Sequence, residues 1–76
     1  MLKPEMTLAE AYRRRDEIAE AGLAIYMPGG SADEFLEIDL VDHSEHRPNW
    51  YIVTLKRDDD HTTALNLPGE IMVSVK

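Results

Sequence analysis

Seventy-six residues are expected to make one domain, spanning 1–76. With no cysteine among them, disulfide staples, thiolate metal sites and thiol nucleophiles are excluded. Fifteen acidic residues against eight basic ones leave a formal charge of −7, which repels phosphate backbones and anionic lipids and favours basic partners.

The chain opens on Met1-Leu2-Lys3-Pro4-Glu5, which has no apolar stretch of the kind that directs secretion, so a cytoplasmic protein is expected. Thr7-Leu8-Ala9-Glu10 is a capping box. The Thr7 hydroxyl can accept the Glu10 N–H, and the Glu10 carboxylate can return to the Thr7 N–H. Leu8, Ala11, Tyr12, Arg15, Ile18 and Ala19 then recur at helical spacing, and Gly22 suits the left-handed position that closes a helix. These signals predict one helix over Leu8–Ala21, braced by Glu10–Arg14 and Arg13–Glu17 pairs on its solvent face. Arg15 projects from the middle of the apolar stripe, so it either snorkels or pairs with a carboxylate on another element.

After Gly22 the period falls from 3.6 to 2. Leu23-Ala24-Ile25-Tyr26-Met27 reads as a strand ended by the turn Pro28-Gly29-Gly30. Ser31-Ala32-Asp33-Glu34 is a second capping box, compatible with a short helical turn. Leu36, Ile38 and Leu40 alternate with Glu37 and Asp39 as a half-buried strand. Asp42 to Asn49 reads as a polar loop, and Trp50-Tyr51-Ile52-Val53-Thr54-Leu55 as the strongest strand of the chain. Beyond the charged loop Asp58-Asp59-Asp60-His61, Ala64 to Leu67 suits a short strand. Pro68-Gly69 suits the centre of a type II turn, and Ile71, Val73 and Val75 alternate in a closing strand. The expected fold is α+β: one N-terminal helix packed on a four- to five-stranded antiparallel sheet in two layers, with short links making sequential strands neighbours.

Four constellations contain side chains of types that carry chemistry. His43 and His46 with Asp42 and Glu45 have metal-ligating side chains, but on a loop without a rigid frame they read as a solvated segment. Ser44 between them has no accompanying oxyanion-hole sequence. Asp59 could begin a calcium loop, yet Ala64 stands where such a loop needs glycine. Pro28-Gly29-Gly30-Ser31 lacks the lysine of a phosphate-binding loop. No catalytic residue, cofactor or metal is therefore expected.

The sheet face turned away from the helix is the more informative surface. If Leu36, Ile38 and Leu40 face the helix, then Phe35, Glu37, Asp39 and Val41 face outward. Trp50, Ile52, Thr54 and Lys56 join them in one register of their strand, and the opposite register buries Trp50 instead. An exposed Trp among apolar residues and carboxylates has the composition of a binding hot spot. The expectation is a non-enzymatic, protein-binding module whose Glu37, Asp39, Asp42, Glu45, Trp50, Asp58, Asp59 and Asp60 engage a basic surface. Such a module would bind no nucleic acid and no membrane itself. By analogy of size and charge alone, this is the strategy of nucleic-acid mimics among phage inhibitors of bacterial defence, anti-CRISPR proteins included. The alternatives are an assembly subunit, homodimeric through the open face, and, remotely, a small metal-dependent hydrolase using His43 and His46. The simplest alternative is that the charge only keeps the protein soluble.

Overall fold

The computed structural model describes residues 3–29, 34–56 and 63–76, which form an α+β fold of two short helices and a six-stranded antiparallel sheet. Thr7 ends one element and begins the next. It is the last residue of β1 (Glu5–Thr7) and the N-cap of α1 (Leu8–Arg13), its hydroxyl accepting the Glu10 N–H at 3.2 Å. The returning half of the capping box is replaced, because the Glu10 carboxylate lies 3.3 Å from Arg14 Nε.

The single helix expected over Leu8–Ala21 is instead two segments, α1 and α2 (Arg15–Glu20), separated at Arg14 with φ −104° and ψ 14°. Backbone bonds continue through the break, from Arg14 N–H to Glu10 C=O and from Ile18 N–H to Arg14 C=O. The change of direction lets Leu8 and Ala11 on one segment and Ile18 on the other reach one core beneath a curved sheet. The Arg14 guanidinium spans the break, 3.4 Å from Glu17 Oε2 as well as close to Glu10, and so takes the role expected of Arg13. Gly22, at φ 74°, closes α2 as expected: its N–H donates to Ala19 C=O, and Leu23 N–H donates to Ile18 C=O.

The strands are β2 (Ile25–Pro28), β3 (Phe35–His43), β4 (Trp50–Leu55), β5 (Thr63–Pro68) and β6 (Met72–Val75), in the order β1-β6-β2-β3-β4-β5. The sheet exceeds the expected four or five strands because Glu5, Met6 and Thr7 pair with Ser74, Val73 and Met72. Three residues are too few to show a period in sequence, yet Met6 is buried. The expectation that short links make neighbours fails between β5 and β6, which stand four places apart. Four strand spacings cover ~19 Å on a flat sheet, whereas the chain from Pro68 to Met72 reaches at most ~14 Å. The sheet therefore curls, and α1 is stitched to the short link by Ala9 N–H to Gly69 C=O at 3.0 Å and Leu8 N–H to Ile71 C=O at 2.7 Å. Pro68 is not the second residue of a type II turn. It remains in β5 and opens the turn, accepting from Ile71 N–H at 3.3 Å.

The core gathers Leu8, Ala11 and Ile18 from the helices with Ile25, Ile38, Val41, Tyr51, Val53, Leu55, Val73 and Val75 from the sheet. β4 thus takes the register that turns Tyr51, Val53 and Leu55 inward. β3 is longer than expected and carries Asp42 and His43 in strand, leaving residues 44–49 as the loop. It also holds a bulge between Ile38 and Leu40, which makes Asp39 the extra residue. Alternation slips by one there, so that Leu40, expected inside, is exposed, and Val41, expected outside, is buried. Among the described residues no helix is long and apolar enough to cross a membrane.

Candidate functional site

The bulge and the unequal lengths of β2 and β3 create an apolar recess. β2 accompanies β3 only from Phe35 to Ile38. From Leu40 to His43, β3 is paired with β4 alone. On the vacated side Ala24 stays paired with Lys76, and Leu23 closes back onto α2 through its N–H to Ile18 C=O. The notch that results is a cavity of about 230 Å³, with Ile18, Leu23, Ile25, Ile38 and Val41 as its apolar lining and Arg15, Asp39 and Leu40 at its margins. Arg15 settles onto its own helix: its Nη1 donates to Tyr12 C=O at 2.7 Å, and its guanidinium lies 4.2 Å from the Tyr12 ring centroid. Of the two expectations for Arg15, pairing with a sheet carboxylate is not what is found: the exposed guanidinium ends on Tyr12.

The carboxylates expected to face a partner differ in their surroundings. Glu37 is half-buried on the outer face, accepting from Tyr26 Oη at 3.4 Å and lying 3.3 Å from Lys56 Nζ, so its charge is largely used within the sheet. Asp39 is exposed at the bulge. Asp42 is exposed opposite Ile52, with Oδ1 accepting its neighbour's N–H, that of His43, at 2.9 Å. Glu45 is exposed in the β3–β4 loop. Trp50 begins β4 half-buried, with the Arg47 guanidinium 5.1 Å from its ring centroid. Asp58, Asp59 and Asp60 lie outside the described residues. The sites are spread along β3 and into its following loop, with Glu37 beside one end of β4 and Trp50 at the other.

Leu40 and Ile52 are diagonal neighbours on the outer face, 57% and 38% exposed, with Asp42 and Thr54 opposite them. Phe35 and Met72 are exposed elsewhere on the same face. Lys76 Nζ covers part of it, 5.0 Å from the Phe35 ring centroid and 5.5 Å from that of Tyr26. Leu40 and the notch escape a sequence reading because a bulge leaves no mark on an alternating pattern.

The histidines do not converge. The His43 ring packs edge-on against Tyr51 at 5.3 Å between centroids, within an aromatic group completed by Tyr12, 5.1 Å from Tyr51. His46 lies in the loop, where its N–H donates to the buried Ser44 hydroxyl at 3.4 Å. Among the described residues no three His, Cys, Asp or Glu side chains are grouped closely enough to hold a metal ion. Comparison with protein-family models, curated proteins and solved structures finds no match.

Proposed function

We propose that the protein is a non-enzymatic binding module that presents carboxylates to a basic surface of a protein partner. What carries the reading is the exposure of Asp39, Asp42 and Glu45 on a chain of net charge −7. Of the eight basic residues, five are folded back onto the chain itself: Arg14 onto Glu10 and Glu17, Arg15 onto Tyr12, Arg47 onto Trp50, Lys56 onto Glu37, and Lys76 onto Tyr26 and Phe35. Asp39, Asp42 and Glu45 meanwhile stay exposed along one strand and its loop. With a net charge of −7 the field outside the molecule is negative, suited to Lys or Arg groups and hostile to phosphate. A partner that uses those groups to hold nucleic acid would be blocked by such a surface.

The exposed apolar side chains of the outer face favour a second reading, an assembly subunit that pairs through that face. Two copies each carrying −7 repel one another, which sets this reading behind the first.

The test is capture on immobilised protein from a cell lysate at low and high salt, with duplex DNA as a competitor. Retention of basic proteins that is lost at high salt and displaced by DNA supports the proposal. Tight binding of the DNA by the protein itself, or salt-insensitive recovery of its own copies, overturns it.

A further inference from the structure

Resting on that reading, we propose that the notch between α2 and the unpaired half of β3 is the anchor pocket of the interface. It takes one branched aliphatic side chain of an extended basic segment whose adjacent Lys or Arg meets Asp39. The notch is an open cleft of about 230 Å³ whose floor is the core itself, so a side chain entering it trades water for apolar contact. A cavity of roughly 150 Å³ already holds benzene, so one leucine-sized side chain fits with room for its backbone. The lining of Ile18, Leu23, Ile25, Ile38 and Val41 is aliphatic and suits such a group.

Three further features define the occupant. The mouth carries the exposed carboxylate of Asp39 on the β3 side and Arg15 on the α2 side, the guanidinium lying over the Tyr12 ring, so an entering cation is drawn to the β3 lip. Leu40, 57% exposed, extends the apolar lining onto the outer face, so an entering segment continues across a surface flanked by Asp42. The main chain is also receptive. Ser44 N–H donates to Trp50 C=O, which sets the phase of the β3–β4 ladder and turns the N–H and C=O of Val41 away from β4 toward the notch. The next such N–H, that of His43, is already taken by Asp42 Oδ1. An extended segment thus finds main-chain partners at Val41, a socket beside it and a carboxylate at its lip. A second copy of this acidic chain lacks the complementary charge.

The probes are three blocked pentapeptides, Gly-Lys-Leu-Lys-Gly, its Leu→Ala form and Gly-Glu-Leu-Glu-Gly, titrated into ¹⁵N-labelled protein. The Lys-Leu-Lys peptide is expected to shift the amide resonances of Ile18, Leu23 and Val41 and to bind roughly tenfold more tightly than the Ala form. Ala19→Trp, which fills the notch from the exposed side of α2, should abolish those shifts. Asp39→Asn should weaken binding and reduce its salt dependence. Ala19→Leu serves if melting shows that the Trp variant is unfolded. Equal binding by the Glu-Leu-Glu peptide, or binding by Lys-Leu-Lys that leaves the notch resonances unmoved, overturns the proposal. If the Leu and Ala forms bind alike and both are salt-sensitive, the anchor pocket is wrong while the acidic binding module stands. If no basic peptide binds anywhere, both fall.

Discussion

Leu40 lies opposite Thr54 across the β3–β4 ladder, one residue out of step with the Ile38–Leu55 pair before it. That slip exchanges the faces that unbroken alternation would give two adjacent apolar residues, leaving Leu40 57% exposed and Val41 6%. Val41→Ala should cost about 2 kcal/mol, because it removes buried methyl groups and leaves a cavity. Leu40→Ala should cost under about 0.5 kcal/mol, as at a surface position. Urea denaturation of the two variants checks this, and a larger loss for Leu40→Ala than for Val41→Ala would mean that β3 is in unbroken alternation.

The two glycines that close turns are constrained for different reasons. Gly22 needs its left-handed φ of 74°, but a Cβ there would meet nothing within 4 Å. Alanine at this position should cost about 1–2 kcal/mol, the strain of a left-handed backbone. At Gly69 a Cβ would stand 2.6 Å from Asn49 Oδ1, 2.8 Å from Tyr51 Cε2 and 3.0 Å from Ala9 Cβ, in the corner where α1 is stitched to the β5–β6 link. Gly69→Ala should therefore lower the melting temperature more than Gly22→Ala. The reverse order would show that the corner gives way easily.

Much of the fold is legible because it rests on local chemistry. The Thr7 cap, the Gly22 closure and the period change after it predict a helical region followed by strands, and Tyr51, Val53 and Leu55 face the core in a strand whose bounds are those expected. What is not legible depends on pairing across the chain. β1 exists because the last strand accepts Glu5–Thr7, and the helix breaks at Arg14 to follow a curved sheet. The curl itself follows from inserting β6 between β1 and β2. For the candidate site, the sequence locates carboxylates on β3 but not their company. Glu37 is held by Tyr26 and Lys56, Asp39 is lifted out by a bulge, and the notch depends on β2 ending before β3 does.

Arg15 and Arg13 are two residues apart, yet they differ in what they touch. Arg15 is bonded to the carbonyl of Tyr12 and stacked on its ring. A stacked cation at an exposed site contributes roughly 0.5–1 kcal/mol, and reversing its charge beside a carbonyl also introduces repulsion. Arg15→Glu should lower the melting temperature more than Arg13→Glu, and the gap should narrow in high salt. Identical melting curves at low salt would deny Arg15 its packing role.

The carboxylates should divide into those that steer a partner and one that braces the sheet. Asp42 and Glu45 are exposed, so Asp42→Asn with Glu45→Gln should slow association and flatten its dependence on ionic strength while leaving melting almost unchanged. The Asn variant of Asp58, Asp59 and Asp60 should act in the same direction, since three adjacent charges concentrate the field that draws a cation. Glu37 is the contrast. Its two oxygens are engaged by Tyr26 and Lys56, so Glu37→Gln should lower stability slightly and leave association nearly untouched. Trp50→Ala removes contact area and not charge, and its effect should fall on dissociation. The measurement is a set of association and dissociation rates for a captured basic partner between low and high salt, with melting curves recorded for each variant. A Glu37→Gln effect on association as large as that of the Asp42 and Glu45 pair would mean that the ion pair with Lys56 opens on binding. Unchanged association for every carboxylate variant at low salt would remove electrostatic steering from the interface.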